Sequence, residues 1–425
     1  MSSAVARAGP ITSTERVLYI DILRGMALFG ILAANMRGFN APMEVYGNIK
    51  VLFHGRADLI AQAFIDIFIQ GKFVSLFSFL FGLGFAVQMM RADARGARFM
   101  SFYPRRLMAL ALFGLIHGIL IWAGDILLSY AITGAMLLLF RHRQQKTVLI
   151  WAGSILAAPM VIISGFYIAY ILGVRRGGLG EEHKTDMAKV QNIINVYAHG
   201  TVPQMLRENW IVWKDSLYTL AFSIVVLCLF LAGLWVWRSG IVERLAEYRP
   251  LLKRVCSVCL PLGLLLNAAV VLRPFLIPPA HKPTFIGWLA NVVSIPSLPL
   301  LSLGYASGLA LLIQNERWRA RLKPFAAVGR MALTNYLTQS VVCTLFYYNY
   351  TTGLYGRVGP AMGLIPTVVL YGSQVFVSNW WLSRYRFGPM EWLWRGMTYG
   401  VFPSMRVEPA PPAALPEAAG GVLEP

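Results

Sequence analysis

The chain has 425 residues, of which 57% are hydrophobic and only 13% charged, a balance that excludes an ordinary soluble globular protein of this length. A net charge of +19 would suit nucleic acid, but the basic residues fall in short clusters between apolar runs and not on one amphipathic face. We therefore expect no nucleic-acid partner and read the clusters as a topology signal for a chain embedded in a lipid bilayer.

Residues 1–15 are polar and read as a flexible N-terminus. After Arg16 the run LYIDILRGMALFGILAANM is long enough to span if tilted, and it lacks a convincing small-x-small cleavage site, so it reads as a retained first span. Asp21 and Arg24 are three apart, share a helix face and can pair at its cytoplasmic end, either as a snorkelling arginine with a local partner or as a substrate contact. Asn35 projects near the other end. Residues 39–60 form an outer loop holding Glu44, Lys50, His54, Arg56 and Asp58. In FIDIFIQGKFVSLFSFLFGLGFAVQMM, Gly71-Lys72 interrupts an interfacial helix before a second span ending at Met90. Lys72, near the outer boundary, either steers an anionic group or anchors the helix in the headgroups.

Arg105 to Gly134, RRLMALALFGLIHGILIWAGDILLSYAITG, reads as a helical hairpin in the membrane, broken at Gly124-Asp125. Counting about 1.5 Å per residue from Leu107 puts His117 roughly 15 Å deep, near the midplane of a core about 30 Å thick, with Asp125 at the far rim. Ionisable groups at such depth are costly and by default face the bundle interior or a wet cavity. The alternatives are a histidine that only hydrogen-bonds a neighbouring helix and an aspartate that only caps the helix after Gly124.

A fifth span covers about 147–173, and the long connection at 174–214 is too polar to span. It has helical periodicity around MAKVQNIINVYA and carries Arg175, Arg176, Lys184, Lys189, Arg207 and Lys214, which makes it a candidate lid over an outward-facing site. Trp210 and Trp213 sit at interface depth. Span six runs from about 216 to 237 and span seven to about Leu272, with Pro274, Pro278, Pro279 and Pro283 keeping the next outer loop short and non-helical. Span eight, about 286–313, reads as broken by Pro296 and Pro299, and Arg317, Arg319, Arg321 and Lys323 return the chain inside.

The ninth span, PFAAVGRMALTNYLTQSVVCTLFYY, gathers Arg330, Thr334, Asn335, Thr338 and Gln339 on one stripe, which either glues helices together or lines a cavity. A tenth runs from about 361 to 382. In RFGPMEWLWRGMTYG, an interfacial helix, Glu391 and Arg395 are four apart and can pair. Residues 401–425 read as a disordered tail. The expected fold class is all-α: a single polytopic domain over 16–400 with about ten spans and both termini cytoplasmic. Every short loop assigned to the cytoplasm carries three to five basic residues. Cys228, Cys256, Cys259 and Cys343 read as small residues of the apolar runs, and we expect no metal site. No phosphate loop, nucleophile elbow or HExxH motif is present.

IDILRGMALFGILAAN, GKFVSLFSFLFGLG, the hairpin around His117, GRMALTNYLTQS and FGPMEWLWRGMTYG together resemble the bacterial YeiB-like family, the domain of unknown function numbered 418. The likeness covers roughly residues 16–400, with the C-terminal family region at about 215–400. It implies a polytopic helical protein of the bacterial cytoplasmic (inner) membrane. The family's motif positions fall on Asp21, Arg24, Asn35, Lys72, His117, Gly124, Asp125, Arg330, Asn335, Gln339, Glu391 and Arg395. It is also similar to the transmembrane acyltransferases typified by heparan-alpha-glucosaminide N-acetyltransferase, which carry an acyl group from cytoplasmic acyl-CoA to a sugar outside. Such a relative uses a histidine in the loop after its first span, an order that Asn35 and His54 share here, so His54 stands second to His117 as the acyl-transfer histidine.

Three functions follow. In the first, the chain is a transmembrane acyltransferase: acyl-CoA is the donor and an envelope glycan or lipid the acceptor, with no bound cofactor. His117 acts as base or acyl carrier, Asp125 orients it, Asn35, Asn335 or Gln339 holds the oxyanion, and Arg24 and Arg330 bind phosphates. In the second it exports or transports an amphipathic solute; in the third it is a non-catalytic membrane partner.

Overall fold

The computed structural model describes residues 18–46, 48–173, 186–215, 218–276 and 284–407. These form fifteen α-helices, and the only strand-like pairing among the described residues is an isolated bridge between Tyr385 and Arg406. Arg175, Arg176, Lys184, Pro278, Pro279, Pro283 and the terminal segments 1–17 and 408–425 lie outside the described residues. The bridge, together with the Arg386 N–H donating to the Met405 carbonyl at 2.9 Å, ties residues 401–407 to the body, so the tail expected from 401 is held up to 407.

Among the described residues, seven helical segments are long and apolar enough to cross a membrane. They are α1 (Leu18–Asn40), the α2–α3 pair (Arg56–Phe68 and Lys72–Ala94), α4 (Phe99–Ile116, continued by a π-helical turn over His117–Ile121), α6 (Gln145–Ile171), α10 (Arg249–Leu276), α11 (Phe285–Leu312) and α14 (Pro360–Leu382). The expected fourth and sixth spans are shorter apolar helices: α5 (Leu127–Leu137), extended to Phe140, and α9 (Tyr218–Arg238). The expected ninth is divided into α12 (Glu316–Arg330) and α13 (Ala332–Tyr347) at Met331. Arg317, Arg319, Arg321 and Lys323, expected in a loop, are therefore helical.

The division at Met331 has an electrostatic cause. Glu391, on α15 (Pro389–Tyr399), accepts the Leu333 and Thr334 N–H groups through Oε1 at 2.6 and 3.1 Å and the Thr334 hydroxyl through Oε2 at 2.6 Å. These are amides that α12 would satisfy if the helix ran on, and the carboxylate satisfies them as an N-terminal cap. Pro296 and Pro299 do not break α11, which is continuous through both. Asn267 of α10 donates to the Ser297 carbonyl between them at 3.0 Å, a bond that ties α11 to the neighbouring helix at the prolines. Pro274 likewise lies within α10.

Burial sorts the helices. In α1, 67% of the apolar window is buried, against 11% in α6 and α10, so α1 is central and the other two turn most of their apolar surface outward from the bundle. Around α1 pack α3, α12, α13 and α14. Gly25 of α1 and Gly329 of α12 face each other so closely that a Cβ on either would run into the other helix's carbonyls at Phe325 or Asp21. Small residues at such a crossing let two backbones approach, the main source of helix association where lipid removes the hydrophobic drive. The polar connection at 186–215 forms α7 (Met187–His199) and α8 (Val202–Asp215).

Candidate functional site

His117 is fully buried and Asp125 nearly so, with 0% and 2% side-chain exposure, and Nδ1 of the imidazole lies 2.9 Å from Asp125 Oδ1. Local backbone chemistry brings them together. At His117 the α4 helix widens into a π turn, with the Trp122 N–H donating to the His117 carbonyl at 2.8 Å; such turns re-aim a side chain at functional sites. Gly114, one turn earlier, has no Cβ, and an added one would sit 2.5 Å from the Leu128 nitrogen and 2.8 Å from Asp125 Oδ2. The hairpin can therefore fold its second arm flat against the first. Asp125 Oδ2 accepts the Leu128 N–H at 2.9 Å, so the cap and the orienting contact, alternatives in the sequence, are both made by the one carboxylate.

A carboxylate oxygen only accepts, which assigns the imidazole proton to Nδ1 and leaves the Nε2 lone pair open. Nε2 has no hydrogen-bond partner among the described residues. Two aromatic rings flank the imidazole: Tyr336 of α13 at 5.1 Å and Trp122 at 6.3 Å between centroids. Each belongs to the wall of a cavity. Beyond Tyr336 lies a cavity of about 180 Å³ bordered by Arg24, Arg106, Arg330 and Arg395, with Tyr130 and Trp394 among its aromatic walls. Beyond Trp122 lies a smaller one of about 40 Å³ walled by Tyr197, Tyr348 and Tyr355, with Glu44 at its edge.

The larger cavity concentrates positive charge. Arg106 stacks over Trp394 with its guanidinium carbon 3.5 Å from the ring centroid, while the Trp394 indole N–H donates to the Arg106 carbonyl at 2.9 Å. Arg395 stands over Phe387 at 4.6 Å, and Arg24 is 3.7 Å from Asp21 as its three-residue spacing predicts. Glu391 also borders the cavity, but its oxygens cap α13, a role that its four-residue spacing from Arg395 did not reveal. Burial pushes its carboxyl above the ordinary glutamate range, against the bonds from Thr334 and Leu333.

Helices α7 and α8 cover the other side. Helix α8 packs on the π turn, with Asn209 donating to the Ile119 carbonyl at 3.4 Å and the Trp213 ring against Gly118. Tyr197 of α7 donates to Asn209 at 2.7 Å, and Lys189 pairs with Glu44 at 2.9 Å. The Tyr197 hydroxyl is raised well above its ordinary value by burial, so it stays a proton donor.

Several expected site residues lie elsewhere. Asn335 donates to Ser378 at 3.0 Å and to the Val328 carbonyl at 3.2 Å; Gln339 donates to Gln374 at 2.8 Å. Both bind α13 to α14, as residues that hold helices together do, and neither borders the cavity. Asn35 is half-buried on α1 and His54 is exposed before α2; neither lines the two cavities. Lys72 does not anchor in headgroups, being only 1% exposed: its ammonium donates to the Asp66 carbonyl, inside a cluster in which Arg37 reaches Asp66 Oδ1 at 3.1 Å and Gln62 reaches Oδ2 at 2.7 Å. The sequence reading missed Arg106, Tyr336 and Trp394. Arg106 is the second of two basic residues that open the hairpin, a pattern that reads as a membrane-boundary signal, whereas Tyr336 directly follows Asn335 in GRMALTNYLTQS.

Residues 236–401 match the family described as a protein of unknown function, DUF418. Over nearly the whole chain the sequence is similar to the uncharacterized protein YxaH of Bacillus subtilis (strain 168), 37% identical over 401 residues, which cover 92% of this chain and 96% of the relative. It is also similar to the uncharacterized protein YeiB of Escherichia coli (strain K12), 30% identical over 397 residues, covering 90% and 96%.

Proposed function

We propose that this chain, which belongs to the YeiB-like DUF418 family, transfers an acyl group from cytoplasmic acyl-CoA to an acceptor on the far side of the bacterial inner membrane. The observation that carries this reading is the buried His117–Asp125 pair, its Nε2 lone pair open, set behind Tyr336 at the wall of an arginine-lined cavity. Arg24, Arg106, Arg330 and Arg395 suit the phosphates of the donor, because guanidinium groups match phosphate oxygens in both charge and geometry.

In the reaction His117 Nε2 takes the proton of the acceptor hydroxyl as its oxygen attacks the thioester carbonyl. The C–S bond then breaks, and the departing thiolate receives that proton. A positioned base of this kind contributes about 10² to 10⁴-fold. We assign the developing oxyanion to the hydroxyl of Tyr336, the residue shared by the cavity wall and the imidazole's surroundings.

We place ten crossings in the bilayer, with both termini cytoplasmic: the seven long helices, the two shorter apolar ones and the α12–α13 pair. Basic residues cluster where that count puts the cytoplasm. Protein in lipid nanodiscs, given labelled acyl-CoA and envelope extract, should consume thioester, and His117→Ala should abolish consumption while remaining folded and inserted. Full activity in that variant removes the assignment. Two cavities on opposite sides of one buried histidine also fit a path for an amphipathic solute, and a thioester left intact while solute crosses vesicles would favour that second reading.

A further inference from the structure

At the end of the bundle where α11 closes and α13 opens, the surface outside the cavity is strongly basic. Arg317, Arg321 and Lys323 are exposed on the first half of α12, whereas Ala326 to Gly329 in its second half are buried, with Gly329 against α1. Arg317, Arg321 and Pro324 recur at four and three and so share one stripe of the helix. On that stripe the Pro324 carbonyl accepts an N–H from the Asn379 side chain of α14 at 3.0 Å. Trp380 follows Asn379, and Arg384 stands one turn further with its guanidinium carbon 4.6 Å from the Trp380 ring centroid. Arg321 stands likewise over Trp318 at 5.3 Å, and both rings are exposed. Two arginine–indole pairs therefore lie on adjacent helices beside one interhelical hydrogen bond, with Arg386 exposed next to them.

Countercharge is scarce here. From 312 to 390 the one acidic residue in the sequence is Glu316, and it pairs with Arg319 at 3.2 Å. Among the described residues, Arg317, Arg321, Lys323, Arg384 and Arg386 make no ion pair with a carboxylate. A topology signal needs only basic residues near the ends of spans; it does not need guanidinium groups stacked on exposed indoles. An indole seats at headgroup level, and a guanidinium held on its face presents the planar fork of N–H groups that matches phosphate oxygens. We infer that the α12–α14 face binds the phosphates of anionic phospholipids in the leaflet around it, with Arg321 and Arg384 as the principal contacts. A headgroup of net negative charge balances this face, whereas a zwitterionic one brings its own ammonium among the arginines.

The test is native mass spectrometry of the full chain in nonionic detergent, titrated separately with phosphatidylglycerol and phosphatidylcholine. Phosphatidylglycerol should bind the more tightly. Arg321→Gln with Arg384→Gln should weaken its first binding step about 25-fold, about fivefold for each charge removed, the fold-change that corresponds to about 1 kcal/mol per basic residue near a membrane surface. Phosphatidylcholine affinity should not change. Lysines at the same two positions should keep the preference for phosphatidylglycerol, which a misfolded chain would not. Lys253→Gln with Arg254→Gln, which removes two exposed charges from α10 instead, should leave the first step as it is. Equal affinity for the two lipids in the unaltered chain, or an equal loss in the α10 variant, overturns the inference. Displacement of phosphatidylglycerol by inorganic phosphate would assign the face to a soluble anion and overturn the lipid as its occupant. None of these readouts involves a thioester, so they stand or fall apart from acyl transfer.

Discussion

Asp125 holds two partners through its two oxygens, and a single substitution separates the roles. Asp125→Asn keeps an oxygen for the Leu128 amide, but its NH₂ donates to the imidazole and so favours the wrong tautomer. We expect thioester consumption to fall by about 10² to 10⁴-fold with little change in melting temperature. Asp125→Ala should lose the cap as well, at about 1 kcal/mol of stability. Glu391 supplies a pH signature. Its carboxyl is raised above the ordinary 4.5 by burial, so the folded protein keeps this proton to higher pH than the unfolded chain does. Its contribution to stability is therefore greatest below pH 4.5 and is lost as pH rises through the folded value. Glu391→Gln should flatten that part of a melting-temperature profile, and an unchanged slope would refute the origin given. His117 and Asp125 were legible in the sequence because an ionisable group in an apolar hairpin is expensive without a role. Tyr336 was not, since nothing about one tyrosine in a membrane helix reveals which ring it will touch.

At the scale of elements, the sequence reading erred where one helix answers to another. Run length and hydropathy predicted a single ninth span, but Glu391, some sixty positions further on, caps the chain after Met331. Prolines predicted a broken α11, but the helix runs on through both and is tied there to Asn267 of α10. The polar stripe of α13 could not be divided from its spacing. Only the neighbouring α14 makes Asn335 and Gln339 glue, while Arg330 reaches the cavity. Gln339→Leu should accordingly cost about 0.6 to 2 kcal/mol in denaturant titrations and leave turnover near wild type; loss of turnover at full stability would return it to the site. Gly25→Val should separate α1 from α12, where no Cβ fits, and reduce the yield of folded protein far more than Gly84→Ala, whose Cβ would meet only the end of the Arg24 side chain at 3.1 Å.

For the whole molecule, the arrangement places a cationic cavity on one side of the His117 hairpin and the α7–α8 cover on the other. With native cysteines replaced, His54→Cys should react with a membrane-impermeant maleimide from outside, and Arg319→Cys only after permeabilisation. The opposite pattern would invert the proposed orientation. Composition and the spacing of apolar runs determined, without coordinates, that the chain is helical and built for a bilayer, because hydrocarbon forces each backbone to satisfy its own hydrogen bonds and requires about twenty apolar residues per crossing. The tertiary structure alone decided which charges meet. Burial of Lys72, the pairing of Arg37 with Asp66 and the gathering of four arginines around one cavity depend on helix rotation and neighbour choice. These are set by close packing between helices, and in lipid a run of apolar residues carries little record of which face turns inward.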